Sequence, residues 1–132
     1  MKRGSTRLIA VNSTTLLNLH SQWAWVVIIA NALAGIWALA AHKVIALRSR
    51  ALWWFTAVAE FTVFVQVAMG VMMVSRDKRV FSQFHAFYGF VAIIAIATIY
   101  SYRAQLKGRL YLLYGFGGLF LMGLAIRAVL VS

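Results

Sequence analysis

Leu16–Ala41 reads LLNLHSQWAWVVIIANALAGIWALAA and carries no Asp, Glu, Lys or Arg. At ~1.5 Å per residue, a helix over this run crosses a ~30 Å hydrocarbon core with residues to spare. Three further runs read the same way: Ala51–Ser75, with Glu60 as its one charge, Val80–Tyr102, and Leu110–Val131, with Arg127 near its end. The connections His42–Arg50, Arg76–Arg79 and Arg103–Arg109 are short and basic. Short loops make consecutive helices antiparallel neighbours. The expected fold is therefore an all-α membrane protein, a four-transmembrane-helix up-down-up-down bundle, with residues 1–132 forming a single integral membrane domain.

Composition agrees. Hydrophobic residues make up 64% of the chain and charged residues 11%, whereas a soluble domain carries about a quarter of its residues as charges. The absence of cysteine excludes disulfides, thiolate metal sites and covalent c-type haem attachment. The absence of proline leaves no helix with a proline kink. The opening Met1-Lys2-Arg3-Gly4-Ser5-Thr6-Arg7 is like a signal-peptide n-region. Leu8–Val11 is too short for the apolar stretch that should follow, and Asn12-Ser13-Thr14-Thr15 interrupts it, so no cleaved signal is expected.

The net charge of +11 comes from 13 Lys and Arg against Glu60 and Asp77. In a soluble protein that balance would point to nucleic acid. Here the basic residues cluster at helix ends, where anionic lipid headgroups or acidic neighbouring subunits are the fitting partners, and no surface remains to hold a duplex. Lys2, Arg3, Arg7, Arg76, Lys78, Arg79 and Arg127 fall on one side, and Lys43, Arg48, Arg50, Arg103, Lys107 and Arg109 on the other. With the charges so evenly divided, the positive-inside rule favours neither orientation. Lys2 and Arg3 lead the chain, which places both termini in the cytoplasm as an expectation. Aromatic residues mark both interfaces: Trp23, Trp25, Phe81, Phe84, Phe87 and Tyr88 on one side, Trp37, Trp53, Trp54, Tyr100, Tyr102, Tyr111 and Tyr114 on the other.

An internal match at an offset of 65 residues lays His20-Ser-Gln-Trp-Ala-Trp-Val-Val-Ile-Ile-Ala-Asn-Ala over His85-Ala-Phe-Tyr-Gly-Phe-Val-Ala-Ile-Ile-Ala-Ile-Ala. Trp23 falls over Tyr88, Ala24 over Gly89 and Trp37 over Tyr102. Two parallel two-helix repeats, residues 16–75 and 80–132, are expected, related by an axis along the membrane normal.

The repeat gives His20 and His85 their interest. Each lies just inside the same face, and two facing imidazoles are what the iron of a b-type haem takes as axial ligands. Ala24 and Gly89, one turn on, would leave room for a flat macrocycle, and Arg127 could hold a propionate. The plainer alternative is that histidine, like Trp, sits well at a membrane boundary. His42, at the end of the first span, is expected to cap the last carbonyls of its helix.

Glu60 lies about 14 Å into its span, and an intramembrane carboxylate is by default a functional residue. Asn31 lies at similar depth on the adjacent span, so a Glu60–Asn31 hydrogen bond is expected, with the glutamate protonated and neutral. The pair either fixes helix packing or handles protons or cations. Gln66, off the Glu60 face, is expected to contact another helix or subunit. His20, Ala24, Val27, Asn31, Ala34 or Gly35, Ala38 and His42 share one helical face. Its small residues, like Gly115, Gly117, Gly118 and Gly123 of the last span, suit close helix packing in lipid. Met69, Met72 and Met73 read as packing residues rather than a copper site.

No nucleophile–base constellation and no phosphate loop is present, so no enzyme is expected. In topology and in its two histidines the chain resembles small four-helix membrane cytochromes and the anchor subunits of respiratory enzymes. That resemblance implies a subunit or anchor of a larger membrane complex, with b-type haem as a possible cofactor and membrane lipids and other subunits as partners. The alternative reading is a small oligomeric proton-coupled transporter or channel using Glu60.

Overall fold

In a computed structural model, residues 2–78 and 80–132 are described, with side-chain contacts from Thr14 onward. Arg79 and the side chains of Lys2, Arg3 and Arg7 lie outside the described residues, so their assignment to one face stays a sequence expectation. Among the described residues there are four α-helices and no strand: α1 (Lys2–Lys43), α2 (Arg50–Ser75), α3 (Gln83–Ser101) and α4 (Leu110–Leu130). Single 3-10 turns, Ile45–Leu47 and Lys107–Arg109, stand in two of the connections. Each helix contains a segment long and apolar enough to cross a membrane.

The boundaries follow local chemistry. α1 starts well before the expected Leu16, because Asn12-Ser13-Thr14-Thr15 contains neither Gly nor Pro. Such polar residues lower helix propensity by only tenths of a kcal/mol and do not break the helix. α3 starts later than the expected Val80. Ser82 has extended backbone (φ −62°, ψ 150°) and its hydroxyl accepts from the His85 N–H at 3.1 Å, a serine N-cap that leaves Val80 and Phe81 outside the helix. At the far end of α1, Arg48 folds back and donates to the Ala41 and His42 carbonyls at 2.8 and 2.9 Å. His42 was expected to cap these carbonyls. The guanidinium does so instead, because its fork reaches two acceptors at once.

α1 packs most extensively against α4, then against α2; α3 rests mainly on α4 and touches α2 little. The face that α1 buries is the small-residue stripe: Val27, Asn31, Ala34, Gly35, Ala38 and Ala41 are buried, while Ala24 and His42 are only half so. Gly35 and Gly118 mark the closest approach. A Cβ on Gly118 would lie 2.9 Å from the Gly35 Cα, and one on Gly35 would lie 2.8 Å from the Gly115 carbonyl oxygen. Not all four α4 glycines serve this contact. Gly117 faces Ile99 of α3, and a Cβ on Gly123 would meet nothing. Bulky side chains such as Trp25, Trp54, Phe61, Phe84, Phe90 and Phe116 point outward, the arrangement for a bundle solvated by lipid chains.

Candidate functional site

The buried face of α1 carries His20 to one end of the bundle, and the Ser82 cap starts α3 so that His85 stands in its first turn. The two imidazole centroids are 5.9 Å apart with planes at 69°. The sequence paired these residues, and the fold brings them together.

Their hydrogen bonding differs. His85 Nδ1 lies 2.7 Å from the Ala128 carbonyl oxygen of α4. A carbonyl only accepts, so Nδ1 carries the proton, and in the neutral ring Nε2 keeps its lone pair. Ala128 lies in the last turn of α4, where the helix itself cannot supply a donor to every carbonyl. Ser82 does the same at the Val131 carbonyl, donating at 2.6 Å. His20 is only 8% exposed, yet neither of its ring nitrogens has a hydrogen-bond partner. A buried imidazole N–H without an acceptor costs about 1–3 kcal/mol, so this ring is held in place by its surroundings. Gln66 of α2 donates to the His20 main-chain carbonyl at 2.8 Å, the interhelical contact its position suggested. A Cβ on Gly70 would sit 3.4 Å from His20 Cε1, so glycine lets the α2 backbone lie against the ring.

Phe81 completes the cluster, and sequence reasoning treated it only as an interface residue. Its ring centroid is 5.7 Å from His20 and 4.9 Å from His85. The available signal was Ser82 three residues before His85: once that serine is read as a cap, Phe81 precedes the helix and turns over its first turn. Arg127, expected near a propionate, is exposed with its guanidinium 5.7 Å from the Tyr88 ring centre. It is at the right end of the bundle and occupied with a ring. Met73 is fully buried and Met72 exposed.

The second candidate, near mid-span, differs from expectation. The Asn31 amide, 1% exposed, donates to the Val27 and Ala59 carbonyls at 2.8 and 3.2 Å, not to Glu60. The buried face of α2 is Leu52, Thr56, Ala59, Thr62 and Val63, with the Ala59 and Thr62 carbonyls bonded to α1. One residue further is about 100° around the helix, which carries the Glu60 carboxyl away from Asn31. Glu60 is half-buried and makes no hydrogen bond or ion pair among the described residues. Charge at that depth is costly in lipid, so the carboxyl is expected to be neutral. Infrared difference spectra of the wild type and Glu60→Gln at neutral pH should show a protonated-carboxyl stretch that the variant lacks. No such band would mean an ionised Glu60 reached by water.

No protein family, curated protein or solved structure matches this chain.

Proposed function

We propose that this chain is a non-catalytic integral membrane subunit of a larger redox assembly, holding a b-type haem between His20 and His85. The observation that carries the reading is the buried His20 ring with both nitrogens unpartnered, beside a His85 whose Nδ1 is committed to Ala128 and whose Nε2 is left as a lone-pair donor. Ligating histidines characteristically give their other N–H to a backbone carbonyl, which fixes the tautomer. The two rings lie close enough, 5.9 Å between centroids, that both would be the residues to hold a haem iron there. His20 and His85 are the ligands such a group would use, with Arg127 as the cation for a propionate; Phe81, 5.7 and 4.9 Å from the two rings, stands beside the space between them and would have to turn aside to admit a macrocycle. Bound there, haem supplies one-electron transfer. The chain supplies the two ligands, the low-dielectric wall and the fixed His85 tautomer.

The contact pattern supports the up-down-up-down topology. His20, Trp23 and Asn31 of α1 bond to α2 through Gln66, Thr62 and Ala59, so one number rises as the other falls. Ser82 and His85 of α3 bond near the end of α4. The two-repeat reading rests on the offset-65 match, in which His20 and His85 are equivalent. The connections between helices are too short to shape a substrate site, so electrons must come from and go to partner subunits. The basic rims suit acidic neighbours and anionic lipids. We place both termini in the cytoplasm.

Purification in gentle detergent, followed by mass and absorbance measurements, tests the whole reading. The expected result is a coloured preparation with a Soret band and co-purifying subunits. A colourless, monodisperse monomer or homodimer would overturn it in favour of the proton-coupled transporter centred on Glu60.

A further inference from the structure

Between α3 and α4 lies an open groove of about 700 Å³, none of whose lining residues belongs to the histidine cluster. Its walls are apolar, among them Ile94, Leu113, Phe116 and Phe120, and Arg109 lines one end. Thr98 lies in the wall, but its hydroxyl is spent on the Ile94 carbonyl at 2.8 Å, so the wall offers no free donor. From Arg109 to Phe120 the groove follows α4 for about 16 Å at ~1.5 Å per residue, close to half of a ~30 Å hydrocarbon core. It is one leaflet deep, with a cation at the headgroup end.

That cation is free. Arg48 is bonded to Ala41 and His42 and lies over Tyr111, and Arg103 lies over Tyr100. Arg109 is exposed and makes no side-chain hydrogen bond, ion pair or ring contact among the described residues. The chain offers it no acidic side chain either. Its only Asp and Glu are Glu60, in mid-span, and Asp77, in the connection after α2 at the opposite end. A second copy in the same orientation would bring its own Lys107 and Arg109 to this level, so like charges would meet.

We infer that the α3–α4 groove is a binding site for an anionic phospholipid, one acyl chain lying along Thr98, Leu113 and Phe120 and the phosphate paired with Arg109. A cation near the membrane surface contributes about 1 kcal/mol to attracting an anionic lipid, which is about fivefold in affinity. The site does not depend on the haem reading, since it lies elsewhere and involves neither histidine.

Native mass spectrometry of the detergent-purified protein, titrated with phosphatidylglycerol and with phosphatidylcholine of identical chains, tests it. The wild type should bind the anionic lipid about fivefold more tightly. Arg109→Gln should bring the two lipids level, and Lys107→Gln, outside the groove, should keep the preference. Thr98→Phe, which fills the groove from an exposed position, should weaken both lipids while helical circular dichroism stays unchanged. Equal binding by the wild type, a preference that survives Arg109→Gln, or phosphatidylglycerol binding that survives Thr98→Phe would each overturn the proposal. So would a dimer that Thr98→Phe dissociates, because the occupant would then be a second copy.

Discussion

On the proposed haem reading, His20→Leu and His85→Leu should each abolish the haem spectrum of the purified protein, and they should differ in what they do to the protein without haem. Both imidazoles would be needed to hold the iron, so loss of either should remove that spectrum. A purely structural role predicts otherwise. His85 ties the first turn of α3 to the end of α4 through the Ala128 carbonyl, and losing that bond should cost about 1 kcal/mol. His20 has buried nitrogens with no partner, so exchanging it for an apolar side chain of similar volume removes an unsatisfied polar group and should leave stability equal or raise it. The decisive pattern is thus a His20→Leu protein that is as stable as the wild type and yet colourless. If it kept its colour, His20 would not be a ligand. If neither the wild type nor the variants held haem, and only His85→Leu were destabilised, the histidines would be a helix cap and a packed ring.

The sequence made the four spans legible because each is bounded by basic connections and each is too apolar to be anything else. The histidine pair was legible through the offset of 65 residues, which put both rings at one end. What escaped was set by rotation about a helix axis and by local caps. Asn31 and Glu60 agree in depth, but depth does not fix azimuth, and a single step from Ala59 to Glu60 turns the carboxyl away. The role of Arg48 escaped because a capping arginine comes from the loop and leaves no periodic signal. The small residues of α1 and α4 were visible one helix at a time. That Gly35 and Gly118 face each other is a property of the pair, which neither span reveals alone. The contacts do not follow the symmetry expected of two repeats: α1 lies tightly on α4, whereas the corresponding contact of α3 with α2 is slight.

That asymmetric crossing carries the largest expected effect on folding. Gly118→Val should destabilise the bundle by about 3 kcal/mol or more, at the upper end of what overpacking costs, and Gly123→Ala should change stability by less than about 1 kcal/mol. At Gly118 the atoms in the way are backbone: Gly35 Cα and N at 2.9 Å and the Asn31 carbonyl oxygen at 3.0 Å from the added Cβ. Backbone cannot rotate aside as a side chain can, so α1 and α4 must separate. In lipid no hydrophobic force pulls them back, because the acyl chains are as apolar as the faces that part; only close packing and polar contacts hold helices together. Separation would also disturb the Asn31 bond to Ala59, which ties α2 to the same stretch of α1. Gly117→Ala should fall between the two, since the nearest obstacle there is the end of the Ile99 side chain. Unfolding of the three variants in increasing sodium dodecyl sulfate, followed by circular dichroism, ranks them. A Gly118→Val protein that unfolds no sooner than Gly123→Ala would show that α1 and α4 do not meet at this crossing.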